Sequence, residues 1–75
     1  MADGRNDPYN SLTTRERQVL QMIAEGKTSR QIARILELAI KTIDSHRWNL
    51  MRKLGIHDQK TLLKYALRRG IVVLH

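Results

Sequence analysis

Apolar side chains recur along this chain in four short, helix-spaced groups separated by capping and stop signals. Val19, Leu20 and Ile23 fall on one face of a helix, with Met22 and Ala24 at its edges. Thr13-Thr14-Arg15-Glu16 opens that helix as a capping box, and Gly26 stops it. Thr28-Ser29-Arg30-Gln31 is a second capping box just after the glycine. It opens a short helix with Ile32, Ala33, Ile35 and Leu36 as its apolar positions, so two helices meet at a tight corner. A third helix is predicted from about Ile40 to Leu54, ending at Gly55. Its Ile43, Leu50, Met51 and Leu54 cluster within roughly a 100° arc, the width of a buried stripe, while Lys41, Asp44, Ser45, Trp48 and Arg52 fall opposite. A fourth, from about Gln59 to Arg69, is capped by Asp58 and stopped by Gly70; it offers Leu62, Leu63, Ala66 and Leu67 to the core or to a partner. Residues 1–11 carry Gly4, Asn6, Asp7, Pro8 and Asn10 without apolar periodicity, which predicts a flexible linker or terminus ahead of one domain over 12–75.

Composition agrees with an all-α, compact four-helix domain containing a helix-turn-helix. Hydrophobic residues are 41% of the chain but aromatics only 4%, with no Phe, so the core is built from Leu, Ile, Val, Ala and Met. Leu, Ala and Met favour helices, whereas strands draw on β-branched and aromatic residues. A chain of 75 residues has room for one core, burying only about 60% of the surface its unfolded form exposes.

Charge points to the partner. Fourteen Lys and Arg against seven Asp and Glu leave +7, with pI ≈ 10.6, which favours a polyanion. Residues 27–53 hold seven of the cations against Glu37 and Asp44, so +5 of the +7 sits in the helix-corner-helix unit. Such a unit enters the DNA major groove when one helix braces another across the backbone. Double-stranded DNA is therefore the expected partner. RNA is disfavoured, because single-strand readers need aromatic platforms and only Trp48 is available. An anionic membrane is the other polyanion, but no stretch approaches the ~20 apolar residues of a span and no signal-peptide core is present. With no Cys there is neither a disulfide framework nor a thiolate metal site, and a cytoplasmic setting is expected.

Several pieces, in order and at these spacings, resemble the LuxR-type helix-turn-helix family of bacterial transcription regulators, in particular the output domains of NarL/FixJ-like response regulators. They are Leu12-Thr13-Thr14-Arg15-Glu16-Arg17-Gln18-Val19-Leu20, Ile23-Ala24-Glu25-Gly26, Gln31-Ile32-Ala33, Lys41-Thr42-Ile43, His46-Arg47 and Asn49 through Ile56. The resemblance covers about 12–72 and implies that the third helix lies in the major groove. By position it implies base reading by Asp44, Ser45 and Trp48. Backbone contacts are expected from Thr28, Ser29, Arg30, Lys41, Thr42, Arg47 and Arg52, and weak homodimerisation through Leu62, Leu63, Ala66 and Leu67 on the fourth helix. A contact to RNA polymerase is a further expectation, and the input signal is expected to lie upstream. The chain departs from the family pattern at Thr14, often Pro, and Gln18, usually Glu. Glu37 stands in place of a frequent Gly, and Ala39 in place of the usual Ser N-cap, a loss worth about 0.5–2 kcal/mol.

Other chemistries fit poorly. Asp44-Ser45-His46 has the residue types of a hydrolase triad, but consecutive helix positions point about 100° apart and cannot form its hydrogen-bond chain. No paired metal spacing of the HExxH kind occurs, so neither enzymatic activity nor a cofactor is expected. The competing class is a helical protein-interaction module docking through Leu62, Leu63, Ala66 and Leu67, which would not need the concentrated positive charge. Asp44 has two open roles, base reading or an intrahelical partnership with Lys41 or Arg47. The wheel sets Trp48 with Lys41 and Ser45, so it is expected exposed. His46 is expected to pack, His57 and His75 to lie on the surface, Tyr65 to pack, and Tyr9 to lie in the linker.

Overall fold

Among the described residues four α-helices follow a short 3₁₀ turn, Pro8–Ser11: α1 (Thr14–Ala24), α2 (Ser29–Leu36), α3 (Ile40–Leu54) and α4 (Gln59–Arg69). This is a computed structural model, described over residues 7–71, with no strand among them. The N-terminal signals behave as their chemistry requires. Thr13 Oγ1 accepts from the Glu16 amide at 3.0 Å and Glu16 Oε1 accepts from the Thr13 amide at 2.9 Å. Thr28 and Gln31 repeat this at 3.1 and 2.8 Å. Asp58 caps α4, accepting from the Thr61 amide at 2.8 Å; that bond, aided by the Thr61 hydroxyl, holds its carboxyl below the usual value. Ala39 gives α3 no side-chain cap.

All four helices end in the same way. Lys27, Leu38, Ile56 and Ile71 each donate their amide to a carbonyl five residues back, and the residue before each donates to a carbonyl three back, the closure of a Schellman turn. Such a turn needs a left-handed residue. Gly26, Gly55 and Gly70 supply it at φ 93°, 70° and 76°, but after α2 it is Glu37, at φ 58°.

α3 is the centre of the packing. It touches α1, α2 and the 3₁₀ turn, while α4 packs on α1. Val19 and Leu20 from α1, Ile32 from α2, Ile43 and Leu50 from α3 and Leu62 from α4 are completely buried, with Ile23, Ala33, Leu12 and Ile56 closing the core around them. Burying each large aliphatic side chain contributes about 1.5–3 kcal/mol. Glu16 is the one buried charged side chain among the described residues. Burial alone would raise its pKa, but Lys53 Nζ at 2.8 Å and the Thr13 amide outweigh that and hold it below the ordinary carboxylate value.

The expected flexible stretch 1–11 contains structure from Asp7 onward. Asp7 caps the 3₁₀ turn, pairs with Arg69 and lies 3.4 Å from the Tyr65 hydroxyl. Tyr9, placed by composition in a linker, packs on the core, and the guanidiniums of Arg17 and Arg69 stack on its ring at 4.7 and 4.6 Å. Burial and the nearby Asp7 carboxylate push the Tyr65 hydroxyl up from its ordinary pKa. Residues 1–6 and 72–75, including His75, lie outside the described residues.

Candidate nucleic-acid interface

Ile43 and Leu50 anchor one face of α3 with no exposed surface. Truncating either to Ala is expected to cost about 2–5 kcal/mol. The opposite face is free as a direct consequence: Lys41, Asp44, Ser45, Trp48 and Arg52 are all exposed, and Thr42 is half-buried beside them. α2 packs across α3 and brings Thr28, Ser29 and Arg30 to the same unit through its first turn.

Trp48 is 64% exposed, the largest apolar surface offered by the described residues. It is not loose, since the Arg52 guanidinium stacks on the indole at 5.0 Å. The ring also borders an open cavity of about 300 Å³ shared with Met51, Arg52, Ile56 and His57. Asp44, for which an intrahelical partner was the alternative role, makes no ion pair with Lys41 or Arg47 among the described residues. Its carboxylate stands exposed in a basic surface, without an ion pair among the described residues. His46 is half-buried and His57 exposed, in keeping with their patterns.

Some cations expected on this surface are already engaged. Arg47 donates through Nη1 to Ser29 Oγ at 2.8 Å and through Nη2 to Gln59 Oε1 at 3.1 Å. Lys53 is held by Glu16 and lies 3.4 Å from the Ser11 carbonyl. Lys27 pairs with Glu25 at 3.1 Å. Arg30, Arg34 and Lys41 are exposed and carry no ion pair among the described residues. The sequence pattern had no means of showing the Arg47 contacts, because Ser29 and Gln59 lie 18 and 12 residues away.

α4 corrects one expectation. Leu62 and Ala66 are fully buried against α1 and the rest of the core, so neither belongs to a surface that a second copy can touch. Leu63 is half-buried and Leu67 is 41% exposed, and the exposed side chains around them are Lys60, Lys64 and Arg68. Among the described residues no helix is long and apolar enough to cross a membrane, and no cluster of His, Asp and Glu is placed to hold a metal ion.

Comparison with known proteins identifies the family. The family model described as bacterial regulatory proteins, luxR family, matches residues 10–66. An uncharacterized response regulatory protein of Escherichia coli K12, YgeK, is 50% identical over 62 residues, which is 83% of this chain and 42% of that protein. The oxygen regulatory protein NreC of Staphylococcus carnosus is 34% identical over 71 residues, 95% of this chain and 33% of that protein. NreC of Staphylococcus aureus RF122 is 34% identical over 67 residues, 89% of this chain and 31% of that protein. The chain thus spans between about a third and two fifths of the length of the curated relatives it matches.

Proposed function

Because this chain belongs to the luxR family of bacterial regulatory proteins, DNA-binding regulators and not enzymes, we propose that it is the output domain of a transcription regulator, with α3 seated in the major groove of double-stranded DNA. What supports the groove assignment is the division of α3 into a face locked by Ile43 and Leu50 and a face where Lys41, Asp44, Ser45, Trp48 and Arg52 are all exposed. Asp44, Ser45 and Trp48 are the base readers in this reading. A carboxylate in a phosphate-facing surface is repelled by the backbone, so its presence is best explained by a base-edge donor, cytosine N4 or adenine N6. Trp48 supplies apolar contact, such as to a thymine methyl, and one indole N–H. Arg30, Lys41 and Arg52 serve phosphates, with Thr28, Ser29 and Thr42 at the groove edge. Two copies pairing weakly through Leu63 and Leu67 would set two such helices about one turn of DNA apart.

Fluorescence anisotropy with a labelled duplex, titrated across salt concentrations, tests the reading. Three to five phosphate contacts give a log–log slope of about −2.7 to −4.5. A slope near zero at low salt, or no binding, would rule out a DNA-binding role for this face.

A further inference from the structure

We propose that Arg47 is a positioning residue for DNA reading: it fastens the first turns of α2 and α4 to the middle of α3 and so fixes the phosphate-facing end of α2 relative to the base-facing side of α3. The inference rests on the DNA-binding reading above. Arg47 is half-buried and sits between the exposed readers Ser45 and Trp48, on the side of α3 turned toward its neighbours. Its fork reaches Ser29 Oγ at 2.8 Å and Gln59 Oε1 at 3.1 Å. Ser29 is the first residue of α2 and Gln59 the first of α4. Both acceptors are neutral, and no carboxylate pairs with the guanidinium among the described residues. The planar fork serves the two acceptors through separate nitrogens held in fixed geometry, whereas a lysine brings the same charge with all its donors on one nitrogen. These contacts matter because reading requires two surfaces in fixed register, phosphates held by α2 and bases met by α3. If the angle between them drifts, nonspecific attraction survives while base contacts are lost.

The charge-preserving variant Arg47→Lys and the charge-removing variant Arg47→Met separate this role from a direct phosphate contact. The probes are the consensus duplex that the wild-type chain selects from randomised DNA, and a random-sequence duplex of equal length. Both variants should bind the consensus about tenfold more weakly, the effect of losing one charge-assisted hydrogen bond. Arg47→Lys should bind the random duplex within about twofold of wild type, and neither variant should change the salt slope. Gln59→Ala should weaken consensus binding in the wild-type background and add nothing in Arg47→Met. The proposal is overturned if Arg47→Lys behaves as wild type while Arg47→Met loses about 0.9 of slope, the mark of a phosphate contact. It is equally overturned if the loss on both duplexes simply follows the unfolded fraction in a thermal melt. Should the wild-type chain select no consensus, the DNA reading itself fails, and amide exchange in the free protein decides the clamp. Arg47→Lys should speed exchange at the Gln31 and Ile32 amides of α2 while leaving α1 unchanged; equal protection in both proteins would overturn it.

Discussion

Replacing Glu37 by glycine is expected to make this domain more stable. Three of the four helices close their last turn with a glycine at positive φ, and α2 closes the same turn with Glu37 at φ 58° and ψ 46°. A side chain in the left-handed region costs about 1–2 kcal/mol from Cβ crowding. Glycine removes that cost but gives the unfolded chain more freedom, worth about 0.4–1 kcal/mol in the opposite direction. The net gain is about 0.5–1 kcal/mol, or a Tm rise of about 2–8 °C for a domain of this size. The Glu37 side chain is exposed and makes no ion pair among the described residues, so little else is lost. Urea melts followed by helical circular dichroism measure the difference, with Glu37→Ala as the control that removes the carboxylate and keeps Cβ. Glu37→Ala should stay within about 0.5 kcal/mol of wild type, as exposed substitutions do. If the glycine variant is no more stable than the alanine variant, the turn carries no strain and the reasoning is wrong.

Glu16→Gln should destabilise the domain by about 1–2 kcal/mol at neutral pH by removing the carboxylate that Lys53 and the Thr13 amide hold. Because the folded carboxyl titrates below its ordinary 4.5, its contribution is present above that value and disappears as pH falls through the lower folded value, so the two proteins should converge in stability under acid. Self-association through Leu63 and Leu67 should be weak and should strengthen with added salt, because Lys60, Lys64 and Arg68 of two copies repel; sedimentation that shows no salt effect, or a Leu67→Glu variant with unchanged association, argues against that face. Asp44→Ala should relax preference at one base pair by about 1–3 kcal/mol while leaving random-DNA affinity equal or higher. Trp48→Ala should lower specific affinity with little change in salt slope, and selection from randomised DNA that returns the wild-type consensus for both variants would remove them as readers.

Much of this fold was legible because its punctuation is local. A capping box spans four residues and a Schellman turn six, so Thr13, Thr28, Asp58 and the three glycines announce helix ends without any tertiary information. The free face of α3 was legible for the same reason, since a helical wheel that buries Ile43 and Leu50 must expose Ser45 and Trp48. What escaped was set by long-range contacts. Tyr9 meets Arg17 and Arg69, and Asp7 meets Arg69 and Tyr65, from elements with no fixed offset to residues 7–11. On α4 the four apolar residues Leu62, Leu63, Ala66 and Leu67 span too wide an arc for one stripe. Only packing on α1 decides that Leu62 and Ala66 turn inward and Leu67 outward.

Charge counted along the sequence and charge free to meet phosphate are different quantities here. Of the seven cations between residues 27 and 53, Lys27 is paired with Glu25, Lys53 with the buried Glu16, and Arg47 is divided between Ser29 and Gln59. Arg52 keeps its charge but lies on the Trp48 ring, so it reaches phosphate only from beside a base reader. Arg30, Arg34 and Lys41 remain exposed and uncommitted, and each stands on α2 or near the start of α3. Held cations still raise the local potential, but they do not each displace a counterion from a phosphate they cannot approach. At about 0.9 of slope per phosphate, Arg30, Lys41 and Arg52 together give a value near −2.7, and counting Arg47 as a fourth contact would give about −3.6. A measured slope near the first value therefore supports three phosphate contacts and the structural use of Arg47. A slope near the second, falling by about 0.9 in Arg47→Met, returns that arginine to the phosphate-contacting set.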